Sequence, residues 1–127
     1  MRRVIMTAVA ALSIVAALPG AALAGDPEVK KEGPCSGRSE WKLEVRLEDS
    51  NRFRVRWEAD SGVAGRDWRL TLRKNGNVIA SAVRTTNADG EAQLNLRGVS
   101  NPPGKDTFSG FARRIGAAET CSGSVRI

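Results

Sequence analysis

A chain of 127 residues with no histidine, no tyrosine and a formal charge of +6 has room for one small domain and lacks the commonest general base and metal ligand. Its charge is basic but mixed, 20 Lys and Arg against 14 Asp and Glu, which speaks against the single-sign block of a dedicated nucleic-acid binder. Two cysteines are too few for a disulfide-dense scaffold or, by themselves, for a zinc site.

The chain opens on a segment that reads as targeting rather than fold. Arg2 and Arg3 precede an apolar run from Val4 to Leu18, interrupted only by Thr7 and Ser13. Pro19 and Gly20 break the run, and Ala22-Leu23-Ala24 places small residues where a signal peptidase reads them. Residues 1–24 are therefore expected to be a cleavable signal peptide. An uncleaved anchor fits less well, because the run is Ala-rich and Pro19 stands just before the cleavage motif. Cleavage removes two of the 20 cations and leaves 18 against 14, a net charge of +4, on a secreted, extracellular chain without a membrane span.

Gly25 to Pro34 is polar, carries two prolines and is expected to be a flexible N-terminal arm. The folded domain is expected to run from Cys35 to Ile127. In an exported chain, Cys35 and Cys121 are most simply read as one disulfide closing that domain. In the chain-entropy model a loop of this size contributes about 4–5 kcal/mol.

After a loop at Ser36–Glu40, Trp41–Glu48 alternates strictly, with Trp41, Leu43, Val45 and Leu47 on one face. Asp49-Ser50-Asn51 is turn chemistry, and Arg52–Ala59 alternates again with Phe53, Val55, Trp57 and Ala59 in phase. A three-residue loop places Glu48 opposite Arg52, Glu44 opposite Arg56 and Lys42 opposite Glu58, leaving Arg46–Arg54 as the like pair. The charges thus favour a register that keeps the apolar set on one side.

Asp60–Asp67, with Gly62 and Gly65, predicts a loop, and Trp68–Lys74 a third strand with Trp68, Leu70 and Leu72 inward. Asn75-Gly76 is a type I′ hairpin signal. It predicts Ile79 opposite Leu72 and Val83 opposite Trp68 in a fourth strand, Val78–Thr85, whose inward phase the sequence leaves open. Asn87–Gly90 is a further turn, followed by Glu91–Arg97 with Ala92, Leu94 and Leu96 inward. Gly98–Lys105, with its Pro102-Pro103 pair, predicts a crossing loop. Asp106–Arg113 follows with Phe108, Gly110 and Ala112 in phase, Phe111 out of phase and Gly110 a candidate bulge. Thr120–Ile127 closes the chain with Cys121, Gly123, Val125 and Ile127 in phase.

Seven short strands with turns between them and no helical period after the signal segment predict an all-β, antiparallel, immunoglobulin-like sandwich, with a small closed barrel as the alternative. The inter-sheet Cys…Trp…Cys spacing and the tyrosine corner of antibody domains are missing.

No catalytic constellation accompanies the hydroxyls, and Asp60, Asp67, Asp89 and Asp106 stand beside turns, where Asp is expected for backbone reasons. The chain is expected to be no enzyme, with no metal and no cofactor. Trp41, Phe53, Trp57, Trp68 and Phe108 fall on inward phases and are expected core. Phe111 is the candidate interface anchor. Arg46, Arg52, Arg54 and Arg56 form a candidate polyanion face, set among Glu44, Glu48 and Glu58, so that a solvated face laced with ion pairs is the competing reading. The expected function is a non-catalytic binding or interaction module at or outside the cell envelope. The sequence does not identify its partner; an anionic envelope polymer or an acidic protein is the candidate for the arginine face, ahead of nucleic acid. A carrier or inhibitor using the loops Ser61–Asp67 and Gly98–Lys105 is the alternative.

The signal segment, Pro34-Cys35-Ser36-Gly37, Trp41-Lys42-Leu43, the run from Trp68 to Gly76 and the closing Glu119-Thr120-Cys121-Ser122-Gly123-Ser124 carry a resemblance. Over most of the mature chain the sequence resembles short, secreted, single-disulfide β-sandwich proteins, rich in Arg and Ala, of high-GC Gram-positive bacteria. The resemblance implies a structure and no activity. In style the chain is also similar to the secreted chromophore-binding apoproteins of immunoglobulin-like fold. It departs from them in being basic and in having one disulfide instead of two, so their function is not carried over.

Overall fold

In a strand whose side chains alternate between apolar and charged, one face must be buried and the other solvated. The computed structural model, which describes residues 27–127, meets this demand with eight antiparallel strands and no helix. They are β1 (Glu28–Pro34), β2 (Glu40–Leu47), β3 (Arg52–Asp60), β4 (Asp67–Lys74), β5 (Asn77–Thr85), β6 (Glu91–Ser100), β7 (Thr107–Arg114) and β8 (Thr120–Arg126). Two four-stranded sheets, ordered β1-β2-β3-β6 and β5-β4-β7-β8, pack face to face as a sandwich and do not close into a barrel. The expected signal peptide and its cleavage site lie outside the described residues.

The strand count is eight rather than seven because the expected arm is itself a strand. From Glu28 to Pro34 it pairs antiparallel with β2, Val29 opposite Val45 and Gly33 opposite Trp41. Only Val29 gives it an apolar contact with the core, so its place comes mainly from backbone hydrogen bonds. Gly33 is required there, since a Cβ would run into the Trp41 ring.

The β2–β3 hairpin has the predicted register, with Lys42 opposite Glu58, Glu44 opposite Arg56 and Arg46 opposite Arg54. At Asn75-Gly76 both turn residues take positive φ, 49° and 85°, as a type I′ turn demands. The pairing beyond that turn differs from the prediction. A bulge next to Arg73 makes Ile79 the extra residue, so Ala80 faces Leu72 and Arg84 faces Trp68. This settles the inward set of β5 as Ala80 and Ala82, with Ile79 tucked against the core. A second bulge sets Arg97 and Gly98 of β6 opposite Arg54, with Gly98 at φ 67°. The strand therefore runs on to Ser100, into the segment expected to be loop.

The core lies between the sheets. Leu43, Val45, Val55 and Trp57 of one sheet meet Trp68, Leu70, Leu72, Phe108, Ala112 and Val125 of the other, all fully or almost fully buried. Phe53 and Phe108 stack edge to face at 5.2 Å, and Trp41 and Trp57 lie 5.7 Å apart, with Trp41 only half-buried. The Trp57 indole N–H donates to the backbone carbonyl of Phe111 at 3.1 Å. Gly110 keeps regular register opposite Leu72 and Gly123 and marks no bulge. It lacks a side chain because a Cβ there would strike the Trp57 ring. Cys35, just after β1, is bonded to Cys121 of β8, tying one sheet to the other.

The β6–β7 crossing is held by a buried clasp. The Asp106 carboxylate accepts from the Asn75 side chain at 2.9 Å and lies 3.8 Å from Lys74 Nζ. Lys74 also donates to the Ser100 carbonyl at 2.6 Å, and Asp106 exchanges both backbone bonds with Ile127. The aspartate expected for turn chemistry thus also serves as a counter-ion for a nearly buried lysine.

Candidate functional site

Residues directly opposite one another on paired strands share a face, so the registers place every charged side chain. On the outer face of β2 and β3, Arg46 and Arg54 are direct neighbours and Arg56 is one step along. With Glu44 they line a cleft of about 90 Å³. Three members of the candidate polyanion face are thereby brought together. Arg52 is not one of them; its guanidinium turns away to donate to the Gly98 carbonyl at 3.3 Å.

The ion pairs expected to neutralise this face are largely unformed. Among the described residues, neither Arg46, Arg52 nor Arg54 has a carboxylate within 4.0 Å, and the opposed pairs Glu44–Arg56 and Glu48–Arg52 do not close to that distance. Arg56 reaches Glu58 of its own strand at 3.5 Å, and Lys42 reaches Glu58 at 3.9 Å. Arg56 Nε is buried without a hydrogen-bond acceptor.

Glu58 attracts these cations because it is the buried carboxylate of this face. It accepts from the Gln93 amide at 2.6 Å, and the same amide donates to Glu91 at 2.9 Å. Burial pushes the Glu58 carboxyl above the usual range; the Gln93 bond opposes the shift, the Glu91 carboxylate adds to it and Arg56 lowers it again. Glu32, Glu40, Glu58 and Asp60 border a shallow recess toward this end of the strands. The face is acidic there and basic toward the β2–β3 turn.

Two clefts open at the ends of the sandwich. One, of about 440 Å³, is lined by Leu47, Phe53 and Ile127 with Pro27, Asn101, Gly104 and Lys105. The other, of about 460 Å³, lies at the disulfide end, where Arg38, Arg66 and Arg114 surround Glu119. The Ser39 amide and hydroxyl donate to Glu119 at 3.0 and 2.8 Å. Burial alone would raise the Glu119 carboxyl; the two Ser39 bonds, with Arg114 and Arg66 nearby, bring it below the usual range. Gly37 leaves the space that this carboxylate occupies. The loop carrying Arg66 is fixed by buried Thr86, whose hydroxyl accepts from the Arg66 amide at 2.8 Å and donates to the Val63 carbonyl at 2.7 Å.

Sequence reasoning singled out the loop of Arg66 but missed this cleft, since Arg38 before β2 and Arg114 with Glu119 at the β7–β8 turn are far from that loop in the chain. Phe111, the candidate anchor, lies exposed on the outer face of the second sheet, opposite Thr71 and Ser122. Among the described residues no group of three or more Asp, Glu, Cys or His could hold a metal ion, and no helix is long and apolar enough to cross a membrane. No family model, no curated protein and no solved structure matches the chain.

Proposed function

We propose that this chain is a secreted, non-catalytic binding module that holds an anionic polymer at or outside the cell envelope, with Arg46, Arg54 and Arg56 as its contact. The observation that carries the reading is the arginine cleft in which, among the described residues, Arg46 and Arg54 have no carboxylate within 4.0 Å. Like charges directly opposite on neighbouring strands are destabilising, so Arg46 beside Arg54 calls for an external counter-charge. A phosphate or carboxylate oxygen in the cleft would supply that charge to the guanidinium groups that line it. Export is supported by the disulfide, which persists in oxidising compartments, together with the N-terminal sequence. The architecture belongs to the same reading. With β1 set apart, seven strands divide as β2-β3-β6 and β5-β4-β7-β8, with crossings between sheets after β3, β5 and β6, in the manner of an immunoglobulin-like sandwich.

The test is retention on an immobilised inorganic polyphosphate matrix as salt is raised. The wild type should elute late and steeply with salt, and the triple variant Arg46→Ser, Arg54→Ser, Arg56→Ser should elute early, its logarithmic salt slope reduced by about two to three. Equal elution of the two proteins would sink the reading. The carrier alternative rests on the apolar cleft of Leu47, Phe53 and Ile127. Binding of an apolar fluorophore that ignores salt and is lost when residues 101–105 are replaced by a Gly-Ser linker would favour it.

A further inference from the structure

The second sheet turns a different kind of surface to solvent. Its registers set Arg69 directly beside Arg113, with Arg73 farther along β4 and Arg126 near the end of β8. All four guanidinium side chains are on exposed residues, and none has a carboxylate within 4.0 Å among the described residues. Asp67, at one margin of the sheet, is the acidic residue of this face, and it is engaged by the Thr85 hydroxyl at 2.6 Å. Every other outward position is a hydroxyl or an apolar side chain.

Three of the large exposed apolar residues stand on this same face: Phe111 at 41%, Val83 at 41% and Val78 at 53% exposure. Phe111 occupies the row between the Arg69–Arg113 row and the row of Arg73, flanked by Thr71 and Ser122. Rows on one face of a strand recur about every 6.7 Å, so the flanking arginine rows stand about 13 Å apart with the ring between them. The ring sits on a firm base, because its own backbone carbonyl holds the buried Trp57 indole.

This pattern discriminates among anionic partners. A duplex nucleic acid presents about one charge per 1.7 Å of axis and rewards a dense run of cations. Here one pair, Arg69 beside Arg113, stands about 13 Å from the row of Arg73, an apolar ring lies between them, and hydroxyl groups fill most of the remaining positions. The complementary chain has carboxylates set apart along its length, rings with apolar C–H faces to lie on Phe111, and hydroxyls to meet Ser and Thr. We infer that the outer face of the β5-β4-β7-β8 sheet is a docking platform for a linear, carboxylate-bearing polysaccharide, gripped by Arg69, Arg113 and Arg73 and stacked on Phe111.

This platform is separate from the Arg46 cleft and stands or falls without it. The experiment compares two probes, polygalacturonate, which has carboxylates and sugar rings, and inorganic polyphosphate, which has charge alone, using the disulfide-bonded protein. Phe111→Ser should weaken polygalacturonate binding about tenfold and leave polyphosphate binding within about twofold, since stacking on an aromatic side chain gains nothing from a ringless polymer. The double variant Arg69→Ser, Arg113→Ser should weaken polygalacturonate by more than tenfold and flatten its salt dependence. All three side chains are exposed, so the melting temperature should hold; if Phe111→Ser lowers it, Phe111→Thr, whose β-branched side chain suits a strand, replaces it. Three results would overturn the platform: no binding of polygalacturonate by the wild type, wild-type binding by either variant, or equal loss of both probes in the Phe111 variant. Failure of the Arg46 cleft would show instead as unchanged polyphosphate retention in the Arg46, Arg54, Arg56 variant.

Discussion

The two outer faces of the sandwich are built from the same alternating strands, yet they treat charge differently. On the β1-β2-β3-β6 face acids and bases are interleaved, and part of the charge is settled internally through Glu58, which takes Lys42 and Arg56 as partners. What is left over gathers by position, carboxylates toward Asp60 and guanidiniums toward Arg46 and Arg54. On the β5-β4-β7-β8 face the cations Arg69, Arg73, Arg113 and Arg126 have no carboxylate among them, and exposed Phe111, Val78 and Val83 stand in place of counter-ions. A mixed face can satisfy itself and leaves a local cleft. A face with one carboxylate at its margin leaves its arginines to water and salt, or to a partner of the kind proposed above.

The contrast depends on two sheets held in one relation by the shared core and tied covalently by the disulfide. Cys35 follows a strand of the mixed sheet and Cys121 belongs to the basic one. The variant Cys35→Ser, Cys121→Ser should lose about 4–5 kcal/mol of unfolding free energy, read by urea denaturation. A loss below about 1 kcal/mol would mean that the core alone fixes how the faces are presented.

A smaller effect comes from the contact between the sheets. Trp57 of the mixed sheet lies against Gly110 of the basic sheet, and a methyl group at Gly110 would meet its ring. Gly110→Ala should cost about 1–3 kcal/mol by overpacking and should disturb Phe111, whose carbonyl receives the Trp57 indole bond. Polygalacturonate binding should weaken with it. An Ala variant of wild-type stability would show that the sheets can slide apart without strain.

The smallest expected effect is in pH. Glu58 has a raised carboxyl pKa, so its favourable contribution is complete below the ordinary carboxyl value of 4.5 and is lost as pH rises through its folded value. Glu119 has a lowered pKa, so its contribution is present above 4.5 and is lost as pH falls through its folded value. Glu58→Gln should therefore raise the melting temperature at pH 7 and lose that advantage in acid. Glu119→Gln should lower it at pH 7, and the difference should close at low pH. Thermal melts across the two windows check both signs, and parallel curves for the two variants would contradict the assignment.

Much of the first face was legible in the residues themselves. Strict alternation in Trp41–Glu48 and Arg52–Ala59, with a polar turn between, sufficed for the register that sets Arg46 beside Arg54. It did not reveal that Glu44 and Glu48 fail to close on their arginines. Arginine is long enough to choose among neighbours, and buried Glu58 offers Arg56 a better one. The clefts at the two ends were illegible for a different reason, since their lining residues come from segments far apart in the chain.

Local order fixes some features of this protein before any tertiary contact. These are the exit from one strand into the next, the type I′ turn at Asn75-Gly76 and the inward phase of the tryptophans; which cysteines can pair is legible too, though their meeting across 86 residues is tertiary. Side-chain period and turn chemistry act over a few residues, and a lone pair of cysteines has one intramolecular solution. The tertiary structure alone decided that Glu28–Pro34 is a strand, that Ile79 forms a bulge, and that β4 lies between β5 and β7. Backbone pairing between distant segments is nearly blind to side-chain identity, and the sheets choose their partners by what they bury together. That choice brought Phe111, already singled out in the sequence, together with Arg69, Arg113 and Arg126, which were not, into one surface.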